Sequence, residues 1–257
     1  MEVNNSVVDK LRVRVFDTRR EMGHNAAKDV ENRLKRIIAE KGEATVVFAA
    51  APSQNELLEE LLLCDVEWNH VRAMHMDEYI GLPKDAPAGF GNFLRRAIFD
   101  RVTFKEIHYI ADAGEEEAKA CETYSELLKK YPPDLILLGV GENGHLAFND
   151  PPVADFNDPY LVKVVELDEV CRNQQVNDGC FPTLADVPKY ALTLTMSAII
   201  NTPETIAVVP GKLKANAVEA MLHGPISTAC PASILRTHAS SVLYLDKDSA
   251  SKAKLSL

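Results

Sequence analysis

Apolar and polar positions follow two different periods along this chain. The runs Ala44–Ala50, Leu135–Val140 and Ile206–Val209 are apolar at nearly every position, and Val71–Met76 is mostly so with Arg72 and His75 as interruptions, as expected of strands covered on both faces. Segments of helical spacing lie between such runs: Arg19–Glu40, Ser53–Cys64, a stretch around Asn92–Asp100, Glu115–Tyr131 and Lys212–Leu222. Further strands are predicted at Ile107–Ile110, Leu161–Leu167, Tyr190–Thr195 and Ser241–Leu245, with a helix near Cys230–Leu235. The alternation predicts an α/β fold in one domain over residues 1–257: a doubly wound, mostly parallel sheet with helices on both faces, a Rossmann-like three-layer arrangement. Leu82–Ala88 and Asn149–Pro159 read as insertions over one end of the sheet, where binding loops and lids occur.

Composition narrows the partners. Hydrophobic residues at 46% and charged residues at 26% are ordinary for a soluble globule, and a net charge of −10 argues against non-specific nucleic-acid binding. An acidic chain can still hold an anionic small molecule where a few cations or free backbone N–H groups converge. The five cysteines are scattered and contain no C-x-x-C pair, which reads as reduced thiols. MEVNNSVVDK lacks the apolar centre of a signal peptide, and no apolar run approaches the roughly 18 residues of a membrane span. The expectation is therefore a cytoplasmic protein with a small-molecule ligand, no nucleic-acid partner and no membrane; a homo-oligomer is compatible with the sequence.

The stretch LLGVGENGHLAFNDPP (Leu137–Pro152) carries Gly139, Gly141 and Gly144 in the spacing G-x-G-x-x-G after an apolar strand. A dinucleotide site needs the last glycine to open a helix, and Pro151-Pro152 with the turn-forming Asn149-Asp150 leave no room for one. The other readings are a plain surface turn, or a ligand loop bringing Asn143, His145 and Asp150 to the end of a buried strand. In open parallel sheets, that is where ligands bind.

Met76-Asp77-Glu78-Tyr79 places Asp77 at the end of another strand, where a carboxylate can act as a base or simply cap a turn. His75 with Asp77 and Glu78 does not match a recognised metal-ligand spacing. Ser53-Gln54-Asn55-Glu56 has the capping-box form and is also a candidate anion turn. Lys212 and Lys214 begin a helix after a strand, and their i, i+2 spacing lets only one of them face inward.

MDEYIGLP (Met76–Pro83) together with GVGENGHLAFNDP (Gly139–Pro151) resembles the glucosamine-6-phosphate deaminase/isomerase family; PKYALT (Pro188–Thr193), GKLKA (Gly211–Ala215) and CPAS (Cys230–Ser233) extend the match over most of the chain. The resemblance implies ring opening of an aminosugar 6-phosphate, proton transfer between C2 and C1, and expulsion of ammonia to leave fructose 6-phosphate, with no metal or organic cofactor. It implies that Asp77 is the proton-transfer group, that His145 assists ring opening beside Asn143 and Asp150, and that Ser53, Gln54, Glu78, Gly141, Gly144 and Lys214 contact substrate. Three departures accompany the match. Asn143 stands where the family commonly has an aspartate, and an amide carries no charge to stabilise an imidazolium. Ala50-Ala51-Pro52-Ser53-Gln54 replaces a phosphate turn commonly written T-G-[GS]-T-P, and Pro52 removes one N–H donor. The family's arginine has no clear equivalent in NQQVNDGCF (Asn173–Phe181), with Arg172 and Arg236 as nearby candidates. Two alternatives remain beside the deaminase reading: a 6-phosphogluconolactonase-like hydrolase, which would need no base acting on a C–H bond, and a sugar-phosphate sensor that has lost the chemistry.

Overall fold

The computed structural model describes residues 2–111 and 116–255. The chain opens with β1 (Glu2–Val8) and β2 (Leu11–Phe16), an antiparallel hairpin turning at Asp9 and Lys10. The sequence reading leaves this stretch unassigned, although Leu11, Val13 and Val15 alternate with Arg12 and Arg14 and are buried in that period. α1 (Arg19–Lys41) starts where the Thr18 hydroxyl accepts the Glu21 N–H, and stops at Gly42, whose φ of 81° lets its N–H turn back to the Ile38 carbonyl.

The elements that follow are β3 (Ala44–Phe48), α2 (Asn55–Leu61), β4 (Val71–His75), β5 (Asp77–Tyr79), α3 (Phe90–Leu94), β6 (Glu106–His108), α4 (Glu117–Lys130) and β7 (Leu135–Leu138). After these come β8 (Val162–Glu166), α5 (Glu169–Asn177), β9 (Tyr190–Leu194), α6 (Met196–Ile200), β10 (Glu204–Val209), α7 (Ala215–His223) and β11 (Ser241–Asp246). The helix expected from Glu115 begins at Glu117, and Glu115 itself lies outside the described residues.

Eight strands form one sheet in the order β1-β2-β11-β10-β7-β3-β4-β6, parallel at every pair except β1–β2. Consecutive residues of a central strand enter different cores. Val46 and Phe48 join α1 and α2 on one face, while Val47 joins α4 and α7 on the other. This accounts for the uninterrupted apolar runs and gives the three layers that the alternation predicts. Leu161–Leu167 and Tyr190–Thr195 behave differently. They supply β8 and β9, and β9 pairs with both β8 and β5 in a separate antiparallel sheet of order β5-β9-β8. β8 is only half covered, with Val162 and Val165 buried and Val164 exposed, a pattern that suits an antiparallel ribbon rather than a strand between two helical layers. α5 was not anticipated, nor was α6.

The winding reverses beside β3. β4 and β6 extend the sheet to one side, and α4 then returns the chain to β7 on the other, so a crevice opens at the carboxyl ends of β3 and β7. The end of β4 is pinned in place. The buried Tyr124 hydroxyl donates to the His75 carbonyl at 2.7 Å and accepts the His75 N–H at 3.1 Å. The His75 imidazole donates from Nδ1 to the Asp77 carbonyl at 3.0 Å and accepts the Ile110 N–H on Nε2 at 3.1 Å. Burial pushes its pKa down to about 4, so the ring is a neutral strut with both nitrogens engaged by backbone and none left for a metal.

Tyr124→Phe would leave the His75 N–H and carbonyl buried without a partner. The variant should lose about 1–3 kcal/mol of unfolding free energy in urea denaturation; an unchanged midpoint would show that the hydroxyl does not hold the strand end.

Candidate active site

Four strand ends and one helix border a small, solvent-open cavity of about 60 Å³ at the crevice. The loop after β3 brings Ser53, β4 leads to Asp77, the loop after β7 brings Gly141 and His145, and the turn after β10 brings Lys214. α5 lies over it, with Gln174, Gln175 and the following Asp178 on the lining face. Sequence reasoning missed these last three. Their signal was present: Asp168 caps the helix by accepting the Cys171 N–H, and Cys171, Gln174, Gln175 and Asp178 follow at i, i+3, i+4 and i+7.

The glycine loop serves the histidine. A Cβ on Gly141 would stand 2.2 Å from His145 Cε1, so only glycine lets the imidazole lie across that backbone. Gly144 has φ of 84°, and a Cβ there would meet Cys230 Sγ at 2.6 Å. Gly144 thus turns the chain without lining the cavity. After it comes a short bridge between Leu146 and Asn149, and the next helix is α5, so the pyrophosphate-binding geometry of a dinucleotide fingerprint is not formed.

His145 and Asp150 are joined through Nδ1 and Oδ1 at 2.8 Å, with Asp150 fully buried. Asn143 braces both: its carboxamide nitrogen donates to Asp150 Oδ1 at 2.9 Å and its oxygen accepts the His145 N–H at 3.0 Å. Burial raises the Asp150 pKa, but the contacts from His145, Asn143 and Cys171 outweigh it and hold the carboxyl below its usual value. One donor atom each from His145, Asp150 and Cys171 lies within 4.8 Å of the other two, a set that could close around a divalent ion only by opening the His145–Asp150 contact.

Asp77 is 6% exposed, and burial first, then the neighbouring Glu78 charge, push its pKa well above the ordinary carboxylate value. Glu78 points away. Its carboxylate accepts the N–H groups of Tyr79, Phe90 and Gly91 at 2.9, 3.0 and 2.9 Å and lines a neighbouring hollow of about 550 Å³ with Arg95 and Tyr109. Strand alternation sends adjacent residues to opposite sides, so the expected substrate contact from Glu78 is not made in the cavity that holds Asp77.

The capping box is also not realised. Pro52–Gln54 form a 3-10 turn ahead of α2, so Ser53 lies inside helical geometry and caps nothing, and Glu56 pairs with Arg19 at 2.8 Å. Gln54 is buried outside the cavity lining; its amide donates to Ser53 Oγ at 3.0 Å and to the Val208 carbonyl at 3.2 Å, tying the turn to β10. Of the two lysines, Lys212 is exposed and Lys214 is 6% exposed, facing the cavity without a hydrogen bond or ion pair among the described residues. Burial lowers its pKa, opposed by the carboxylates of Asp178 and Glu142. Neither candidate arginine reaches the cavity. Arg172 donates to the carbonyls of Leu184 and Val187, while Arg236 pairs with Asp9 and donates to the carbonyls of Met221 and Gly224.

Comparison with known proteins agrees with this architecture. The family described as glucosamine-6-phosphate isomerases/6-phosphogluconolactonase matches residues 17–244. A glucosamine-6-phosphate deaminase of Exiguobacterium sibiricum is 32% identical over 219 residues, 85% of this chain and 85% of the relative. Another, from Exiguobacterium sp., is 37% identical over 193 residues, 75% of this chain and 74% of the relative. Among solved structures, a monomeric glucosamine-6-phosphate deaminase superposes with a TM-score of 0.84 at 27% identity, covering 93% of this chain and 99% of its own. A 6-phosphogluconolactonase from Thermotoga maritima shares the fold, with a TM-score of 0.75 at 21% identity over 93% of this chain and 100% of its own.

The raised Asp77 pKa fixes the sign of a stability effect. A buried acid that holds its proton more tightly when folded stabilises below its unfolded pKa, and that stability is lost as pH rises through the folded pKa. Asp77→Asn should therefore melt above the wild type near pH ~8 by scanning calorimetry, with the gap closing as pH falls. A variant that melts lower at every pH would contradict the buried, desolvated carboxyl.

Proposed function

The chain belongs to the family of glucosamine-6-phosphate isomerases and 6-phosphogluconolactonases, and on that premise we propose that it is an aldose–ketose isomerase and deaminase of an aminosugar 6-phosphate, converting glucosamine 6-phosphate and water to fructose 6-phosphate and ammonia. The observation that carries the reading is the convergence on one cavity of a desolvated carboxylate, Asp77, and a histidine fixed by a buried carboxylate, His145 with Asp150.

His145 moves a proton between the anomeric hydroxyl and the ring oxygen, which breaks the ring bond and frees the C1 aldehyde. Asp150 on Nδ1 orients the ring and compensates the charge it gains, leaving Nε2 for substrate. Asp77 then removes the C2 proton, and the electrons pass through the C1–C2 bond to the C1 oxygen, giving an enolamine. Returning the proton to C1 leaves an imine at C2. Water adds there, and ammonia departs. A carboxylate whose pKa lies well above the usual range is a stronger base than a surface aspartate, which C–H abstraction demands. Lys214 and the Ser53 hydroxyl receive the charged end of the substrate. The five cysteines, all free, are consistent with a cytoplasmic setting. No helix among the described residues is long and apolar enough to cross a membrane.

Lactone hydrolysis has no C–H bond to break and gives Asp77 no task. The test is to incubate the purified chain with glucosamine 6-phosphate, galactosamine 6-phosphate and 6-phosphogluconolactone, measuring ammonia, ketose and acid release together. Equimolar ammonia and fructose 6-phosphate from the first are expected, with turnover reduced about 10²–10⁴-fold in Asp77→Asn and severely in Asp150→Asn. Lactone hydrolysis without ammonia from either aminosugar would transfer the chain to the hydrolase reading, and binding without any turnover would make it a sensor.

A further inference from the structure

The cavity has two chemical ends. Asp77 follows β4 and Lys214 follows β10, on strands set apart in the order β10-β7-β3-β4, and both side chains line the space between. α5 crosses that space. At its start the Cys171 thiol lies within 4.8 Å of ligand atoms of His145 and Asp150, beside the reacting groups. Just past its last turn Asp178 lines the cavity, and its carboxylate is the charge that acts most strongly on Lys214. Gln175 stands between the two. With a rise of about 1.5 Å per residue it is about 6 Å beyond Cys171 and about 4.5 Å short of Asp178 along the helix. Its side chain is 7% exposed, lines the cavity, and makes no hydrogen bond among the described residues. The adjacent Gln174 is already engaged, accepting the Glu142 N–H at 2.8 Å and donating to Asp178 Oδ2 at 3.3 Å. Gln175 is thus a carboxamide more than nine-tenths buried, with its donors and its acceptor open to the cavity, and polar groups at that depth are normally paired.

Resting on the deaminase reading above, we propose that Gln175 is a specificity-determining residue, whose carboxamide hydrogen-bonds the C4 hydroxyl of the aminosugar phosphate and so selects the gluco over the galacto configuration. In the opened sugar the reacting carbons C1 and C2 belong with His145 and Asp77, and the phosphate on C6 belongs with Lys214 and Ser53. C4 is two bonds from C2 and two from C6, the middle of the chain, as Gln175 is the middle of the helix face that spans the same two ends. A carboxamide can donate to a hydroxyl or accept from it, and being neutral it serves the uncharged part of the substrate without competing for the phosphate. Glucosamine and galactosamine 6-phosphate differ only in the direction of this hydroxyl. A side chain carried on a helix pairs with one direction and is left without its partner by the other, which is the circumstance in which a site discriminates most sharply.

The test uses the full chain and its Gln175→Met variant, which keeps the length of the side chain and removes its polar atoms, with ammonia release measured on glucosamine 6-phosphate, galactosamine 6-phosphate and 4-deoxyglucosamine 6-phosphate. Gln175→Met should lower kcat/KM for glucosamine 6-phosphate about tenfold, leave kcat/KM for the 4-deoxy substrate unchanged, and cut the preference for the gluco over the galacto epimer by the same factor. Gln175→Leu supplies the same comparison should Gln175→Met fail to fold. An equal loss on the 4-deoxy and the parent substrate would make Gln175 part of the cavity wall and overturn the proposal, as would no loss on either. If no aminosugar phosphate releases ammonia, the deaminase reading fails. Calorimetric titration of glucosamine 6-phosphate and its 4-deoxy analogue into the wild type and the variant then still decides the role of Gln175, since only a direct contact weakens binding of the first and spares the second.

Discussion

Coverage of the central sheet on both faces is the constraint from which the rest follows. β3, β4, β7, β10 and β11 are buried along nearly their whole length, and adjacent side chains enter two separate apolar cores. Neither core has space for an unpaired carboxylate or ammonium, whose burial without partners costs several kcal/mol. Polar chemistry is therefore confined to strand ends, and the reversal of winding between β3 and β7 leaves one crevice there. Asp77, His145, Ser53 and Lys214 follow the ends of four different strands, and the sheet is what brings them together.

The parts of this arrangement legible in the sequence are those governed by period. β3, β7 and the later half of β10 are almost wholly apolar because two helical layers cover them, and polar residues placed soon after strand ends, such as Asp77 and His145, are marked by contrast. Where one strand face meets solvent the signal weakens, which is why β1–β2 went unassigned and why β8 and β9 were not separated from the main sheet. α5 was hidden for a related reason. Its inward face carries Gln174, Gln175 and Asp178, so a helix that covers a polar cavity lacks the apolar stripe by which helices are found. Ser53 shows the limit of a local motif: S-x-x-E describes a cap only if the serine precedes the helix, and Pro52 begins the helical geometry one residue earlier.

Asn143 is the departure that the structure explains best. Its two amide contacts span Asp150 and the His145 backbone, which uses both the donor and the acceptor of the side chain. An aspartate in this position would bring a second carboxylate to within hydrogen-bond distance of Asp150, and one of the pair would have to hold a proton. The amide at 143 avoids that conflict. A single ionised carboxylate remains behind the histidine.

The tie between α5 and the glycine loop has a mechanical consequence. The Glu142 N–H donates to the Gln174 side chain at 2.8 Å, and the adjacent Asn143 holds both Asp150 and the His145 backbone. One wall of the cavity and its histidine therefore share a single support, and a displacement of α5 is passed to the imidazole through the glycine loop rather than absorbed by it.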